Sequence, residues 1–329
     1  MMPSWRGSMP HWPCGPPVVE PVALGALVLD AALGWPNRIY RRIGHPVAGF
    51  ARIIAACEVR WNRPDRPPRV RRLSGVAAML VLVLTSGGIA CAAEQVSRAL
   101  AGPWAWLPLA FAAWPALAQR SLYDHFRPIE AALKRGDLPA AREAVGMIVG
   151  RDTAALDAPG VARAGIESLA ESFCDGVIAP LFWLLVLGLP GAWIYKAINT
   201  ADSLIGHPEE PLRDYGWAAA RIDDAANLIP ARLSAILICL AGWGRGWRIL
   251  WRDHGRHASP NAGWPEAAMA GTLGIRLAGP VRYDGVLSQK PWIGDGSEAD
   301  AGAMVRAGNI YLRACLLAWI GAGGVAWLA

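Results

Sequence analysis

The chain has 329 residues, of which 54% are hydrophobic and only 18% charged, with a mean hydropathy of +0.27. A charged share so far below the quarter usual in soluble domains excludes wholesale disorder, and 36 Gly and 26 Pro without a three-residue period exclude a collagen-like rod. The formal charge of +6 suits anionic lipid or an acidic ligand, whereas no basic helix with interleaved stacking aromatics points to nucleic acid.

In chain order, residues 1–17 are Pro-rich, lack a continuous apolar core and read as a loose leader to one membrane-embedded domain over 18–329. Uncharged stretches then recur at 76–93, 99–118 and 176–195, each near the ~20 residues a helix needs to cross a bilayer. The stretch 314–329 is shorter but extends upstream through Ile310 and Tyr311. Residues 233–244 stop at Arg245, which must snorkel if the helix is to run further, and 18–33 is interrupted by Glu20 and Asp30. The fold class expected is therefore all-α: a polytopic integral membrane protein with about four to six apolar helices. Its 17 Trp suit the membrane–water interface.

Gly188, Pro190 and Gly191 fall in the middle of the 176–195 stretch and predict a broken or re-entrant segment. A segment that dips and returns would let the polar blocks on its two sides build one site. Arg60, Arg63, Arg66, Arg69, Arg71 and Arg72 place the loop before the first long stretch on the cytoplasmic side. Arg245, Arg248, Arg252 and Arg256, interleaved with Trp247 and Trp251, read as one face of an amphipathic cytoplasmic helix. The six cysteines are dispersed, which favours free thiols over disulfides or a zinc cluster.

The polar residues between Arg151 and Arg232 exceed what anchoring needs. Glu167, Glu171 and Asp175 are spaced by four, so a helix puts them on one face, where like charges repel and Arg163 relieves only part. They form either a solvated face near the membrane surface or a seat for Mg²⁺ or a cationic substrate. Lys196, Asn199 and Ser203 share a second face, with Asp202 beside it; these are poor helix formers with many donors and acceptors. In Arg221-Ile-Asp223-Asp224-Ala-Ala-Asn227, an acidic pair with an amide one turn on can hold Mg²⁺ against a phosphate, with Arg221 for the phosphate oxygens. Asp223 and Asp224 are the candidate Mg²⁺ ligands. Ser259 and Asn261, ahead of a helix opened by Pro265, either cap that helix or bind a ligand at its positive end. No P-loop, G-x-S-x-G elbow or H-E-x-x-H is present.

Four blocks in order, IESLAESFCDGVIAPLFW, YKAINTADSLIG, YGWAAARIDDAANLIPARL and SPNAGWPEAAMAGTLG, resemble the CobD/CbiB family of cobalamin biosynthesis. The N-terminal LDAALGWPNRIYRRIGHPVAGF and the run GRDTAALD are also similar, so the resemblance covers nearly the whole chain; Asp30 and His45 lie in the first of these. It implies an inner-membrane enzyme with a cytoplasmic active site that amidates a propionate carboxylate of (adenosyl)cobyric acid with aminopropanol or its phosphate. ATP and Mg²⁺ are implied as well, because a carboxylate and an ammonium do not condense in water without activation. Under this reading Glu167, Glu171, Asp175, Lys196, Asp223 and Asp224 are the candidate catalytic residues. Asn199, Asp202, Arg221, Asn227, Ser259 and Asn261 bind substrate, and other corrin-pathway enzymes are possible partners. The chain departs from the family pattern at Ser172, where Asn is usual after the Glu, and at His207, where Tyr is common. Two other classes fit parts of the pattern: a Mg²⁺-dependent membrane prenyl- or phosphoalcohol transferase, and a non-enzymatic transporter or scaffold with polar groups along a path.

Overall fold

The computed structural model describes residues 20–150, 152–283 and 286–328, so the leader and Arg151 lie outside the described residues. Fourteen α-helices occupy most of them. The first seven are α1 (Glu20–Leu33), α2 (Asn37–Ile43), α3 (Val47–Trp61), α4 (Pro68–Ala101), α5 (Trp106–Ala113), α6 (Gln119–Lys134) and α7 (Leu138–Gly146). After them come α8 (Ala158–Phe173), α9 (Ala179–Ile205), α10 (Trp217–Ala226), α11 (Leu228–Ala241), α12 (Trp247–Asp253), α13 (Gly263–Leu273) and α14 (Ala301–Leu328). A strap between α13 and α14 carries two small antiparallel ladders, β1 (Leu277–Ala278) with β4 (Trp292–Ile293) and β2 (Val281–Tyr283) with β3 (Val286–Ser288).

Local chemistry sets several boundaries. Asp137 and Asp157 cap α7 and α8 by accepting from the backbone N–H groups of Ala140 and Gly160, at 3.1 and 2.8 Å. Pro68 opens α4, where a missing N–H costs nothing, and Gly102 at φ +49 closes it. The expected helix over 99–118 is not one element: Gly102, Pro103, Pro108 and Pro115 divide it into the end of α4, a 3₁₀ turn, α5 and a second 3₁₀ turn. Nor does α11 run on past Arg245. It stops at Ala241, where Trp243 and Gly244 both take positive φ, and Arg245 sits in the turn rather than on a face with Arg248 and Arg252.

Two stretches, 68–104 and 158–205, are long and apolar enough to cross a membrane, and a third if α10 and α11, bent by 48°, count as one. The second stretch is not straight. A π-helix over Cys174–Ile178 joins α8 to α9, and Gly188 inside α9 takes φ 67 and ψ −157. The chain doubles back there: a Cβ on Gly191 would collide with the Trp183 carbonyl oxygen, and Asp175 touches Asn199. In an unbroken helix that last pair would stand roughly 36 Å apart.

The long helix α4 packs along the returning arm of this hairpin. Gly87 makes room for Ile194, and the carboxylate of Glu94, buried and held by Arg98 at 2.6 Å, lies against Gly188 at the tip. Such small residues let helices approach where lipid tails offer no hydrophobic drive. Counting back from Ile194 opposite Gly87 puts Lys196 level with the middle of α4, about 20 Å along the axis from Arg72.

Candidate functional site

The hairpin brings together polar blocks that an apolar run separates in sequence. Asn199 Nδ2 donates to Asp175 Oδ2 at 3.2 Å. Asn227 is the hub: its Oδ1 accepts from the Tyr195 hydroxyl at 3.0 Å and from Cys174 Sγ at 3.8 Å, and its Nδ2 donates to Asp223 Oδ2 at 3.0 Å. Asn261 ties the third block in, donating to the Asp224 carbonyl and accepting from Arg232, each at 2.7 Å. Within this network one atom stands out. Asp223 is 8% exposed, yet its Oδ1 is buried with no hydrogen-bond partner.

Cavities line up along the network and share walls. A central one of about 450 Å³ is bounded by Ser121 and His125 of α6 and by Glu171, Ser172, Asp175, Lys196, Asn199 and Ser203. An acidic one of about 410 Å³ adds Asp202, Arg221, Asp223, Asp224, Asn227, Ser259 and Asn261 to Glu171 and Asp175. An aromatic one of about 520 Å³ lies between Asp30, Trp35, Tyr40, His45 and Trp114 and meets the central cavity at Lys196. A fourth, about 280 Å³, is lined by Glu167, Ser168, Glu171, His257, Glu266 and Lys290. Glu171 faces three of the four. A further cavity between Phe50, Ile89 and Trp193 is apolar and holds none of the candidate residues.

Not every residue singled out in the sequence lands in the same place. Glu167 turns away from the acidic cavity: its Oε1 accepts from the Ala278 N–H at 2.7 Å and lies 3.9 Å from Arg163, so it anchors the strap and lines only the smallest cavity. Glu167 and Asp175 stand eight residues, roughly 12 Å, apart along the helix, and the π-turn over Cys174–Ile178 begins between them. Ser259 does not cap α13, whose first turn starts after Ala262 with no side-chain cap; its hydroxyl instead holds the preceding turn, accepting from the N–H groups of Asn261 and Ala262 at 3.2 and 3.3 Å. Arg221 pairs with Asp224 at 3.3 Å at the rim of the groove. Arg252 serves structure rather than an interfacial face: with Arg256 it surrounds the fully buried Asp253, which also accepts from the Gly294 N–H at 2.8 Å. These partners, Arg252 above all, hold the Asp253 carboxyl below the usual carboxylate range.

Two histidines beside the cavities are held neutral. Burial, helped by Lys196, pushes His45 down to about 4, and its Nδ1 accepts from the Val47 N–H at 3.2 Å, leaving the proton on Nε2. His257 is likewise depressed by burial and then by Lys290, and its Nδ1 accepts from the Ser259 N–H at 3.0 Å.

Among the described residues no three His, Cys, Asp or Glu side chains converge closely enough to hold a metal ion on their own. The acidic cavity suits a different mode: one or two carboxylates with phosphate oxygens and water, the usual Mg²⁺ arrangement. The orphaned Asp223 Oδ1 is a buried group on this wall with an open coordination position.

Sequence reasoning did not single out Ser121, His125, Glu266 or Lys290. For Lys290 a signal exists. Of the 32 basic residues 29 are Arg, and Lys occurs only at 134, 196 and 290. Lys134 forms an exposed helical pair with Glu130, while both others face the cavities that meet at Glu171. In a chain that supplies positive charge almost wholly as Arg, Lys at those two places is a departure that composition alone makes visible.

No solved structure matches the chain. Curated relatives do. The cobalamin biosynthesis protein CobD of Rhodobacter capsulatus is 47% identical over 300 residues, 88% of this chain and 91% of the relative. Proteins of the same name from a Sinorhizobium species and from Rhizobium meliloti are 45% and 43% identical, each over 88% of this chain and over 93% and 91% of their own lengths. The family described as CobD/Cbib protein matches residues 23–311, a span that contains the hairpin, the acidic groove and the strap. The chain therefore belongs to the CobD/Cbib protein family, among relatives named for cobalamin biosynthesis.

Proposed function

We propose that this chain is a membrane ligase of cobalamin biosynthesis, forming the amide between a propionate carboxylate of (adenosyl)cobyric acid and aminopropanol or its phosphate. The observation that carries the reading is the continuity of the groove: five carboxylates, among them the unsatisfied Asp223, pass into a chamber holding Lys196. Acid–amine ligation needs such a pair of environments, one for a cation and one for an anion, within reach of a shared centre.

The chemistry must balance. The corrinoid carboxylate oxygen takes the terminal phosphoryl group of ATP, releasing ADP and giving an acyl phosphate. The amine nitrogen, after its ammonium yields a proton to a carboxylate, attacks the acyl carbon. The C–N bond forms, the C–O bond to phosphate breaks, and inorganic phosphate leaves. Lys196 is placed to balance the acyl phosphate, and Glu171, facing three cavities, to receive the proton. Mg²⁺, held by Asp223 and Asp224, would screen the nucleotide phosphates. Asn199, Asp202, Arg221, Asn227 and Asn261 orient the reactants, while Ser259 holds the turn that presents Asn261.

In the bilayer this reading takes α4 and the bent α10–α11 pair as passes and 176–195 as a re-entrant hairpin, and it reaches the lower end of the expected four to six only if the shorter α1 and the Arg-bearing α14 also cross. The Arg-rich entrance to α4 supports the cytoplasmic side of the inner membrane for the mouth of the groove. The groove then lies deeper than the membrane surface, since Lys196 is level with the middle of α4. The test is ligation by purified protein in nanodiscs, with adenosylcobyric acid, aminopropanol phosphate and Mg·ATP, read by mass spectrometry. An ATP-dependent mass gain matching the amide supports the assignment. No product with either form of the amine, under conditions where the protein is folded, overturns it.

A further inference from the structure

We infer that the smallest polar cavity, roofed by Lys290, is the seat of the phosphorylated amino alcohol, and that Lys290 sets the preference for phosphate on that substrate. The inference rests on the ligase reading above and assigns a place to one of its reactants. At about 280 Å³ the cavity lies just below the range of drug-sized pockets and admits a small polar molecule but not a corrin ring. Its walls are bipolar: Glu167 and Glu171 come from α8 and Glu266 from α13, with Glu167 engaged by the Ala278 N–H, and Lys290 comes from the strap. A molecule with an ammonium at one end and a phosphate at the other matches that charge order.

Position supports the same assignment. Through Glu171 the cavity adjoins both the central and the acidic cavities, so an amine seated there reaches the centre from one side as an activated carboxylate reaches it from another. His257, neutral and with Nε2 3.8 Å from Glu266, adds a hydrogen-bond donor without adding a second fixed charge.

The strap is built to fix the lysine in place. Trp292, two residues after Lys290, is held by the guanidinium groups of Arg163 and Arg276, at 5.0 and 4.6 Å from its ring centroid. Its carbonyl accepts from Arg256 at 3.1 Å, and the strap's other end is pinned where Ala278 N–H donates to Glu167. Gly279, at φ +79, lets the backbone lie flat on the Trp292 ring, where a Cβ would stand 2.6 Å away. Lys rather than Arg at 290, in a chain with 29 Arg, fits a point-charge contact to phosphate.

The test compares two amines on the full-length protein in nanodiscs. Ligation kinetics are measured for wild type, Lys290→Met and Lys290→Arg with aminopropanol phosphate and with aminopropanol. Binding of aminopropanol phosphate alone is followed in parallel by ³¹P NMR titration. Lys290→Met is expected to raise KM for the phosphorylated amine about tenfold or more and to leave KM for the free amine within about twofold. Lys290→Arg recovers only part of the loss. Equal effects on the two amines, or none, overturn the inference. If wild type makes no amide, the ligase reading fails, and the titration still decides the pocket: saturable binding weakened by Lys290→Met upholds it, and binding that is absent or unaffected overturns it.

Discussion

Two buried aspartates, Asp253 and Asp223, show how this chain separates charges that hold it together from charges that act. Asp253 is fully buried, and both its oxygens are used: Arg252 reaches each of them, Arg256 sits by Oδ1, and the Gly294 N–H binds Oδ2. Asp223, almost as buried, offers one oxygen to Asn227 and leaves the other without a partner on the wall of a cavity. A buried carboxylate with every lone pair engaged is part of the architecture. One held half-satisfied stays in place only because the surrounding fold tolerates the cost, and such groups concentrate where ligands bind.

The contrast can be broken by exchanging the two behaviours. Asp223→Asn should lower ligation by roughly 10²–10³-fold while thermal stability stays equal or rises, because a half-satisfied buried acid is replaced by a neutral amide of the same shape. Asp253→Ala should do the reverse, destabilising the fold by about 3 kcal/mol in a thermal or denaturant melt, with turnover per folded molecule retained. If Asp223→Asn melts earlier and Asp253→Ala loses activity without loss of stability, the distinction is wrong. A smaller effect sharpens it at the hairpin. Gly188→Ala forces a side chain into the left-handed region against Glu94 and should cost about 1–2 kcal/mol. It should also loosen the Asp175–Asn199 contact, seen as faster alkylation of a cysteine placed at Ser203. In the unaltered fold, single cysteines at Ser172 and Ser203 should label from the same side of a sealed vesicle.

The smallest effect expected is a pH dependence carried by His45. Its value falls from 6.5 unfolded to about 4 folded, so between those limits the unfolded chain binds more protons. Stability therefore falls as pH drops through that window and is unaffected above it. His45→Gln should flatten the profile between pH 6.5 and 4 by on the order of 1 kcal/mol, discounted for the ring's partial exposure.

Much of this was legible in the sequence, and the limits have physical reasons. Gly188, Pro190 and Gly191 announced the break because their backbone preferences act locally, and the polar blocks on either side were legible as candidates. The division among cavities was not. Glu167 and Asp175 fall on one side of an ideal helix, but they stand roughly 12 Å apart along it and reach different walls, a division that spacing alone does not reveal. Lys290 sits in a loop whose position depends on Trp292 meeting two arginines more than a hundred residues apart, and local pattern carries no information about such a meeting. The stretch at 99–118 looked like a span because hydropathy sums ignore order, while its prolines act one at a time.

The doubling back at Gly188 also bears on how the protein is made. A translocon meets 176–195 as twenty apolar residues in a row and has no local reason to refuse it as a crossing. The finished fold has both ends of that run together. By then α4 has already emerged from the ribosome, with Glu94 carried near its far end. The docking surface for the returning arm is thus laid down before the arm exists. Vectorial synthesis supplies the order of events that a hydropathy profile lacks, and a chain permuted to make the hairpin first would lose that template.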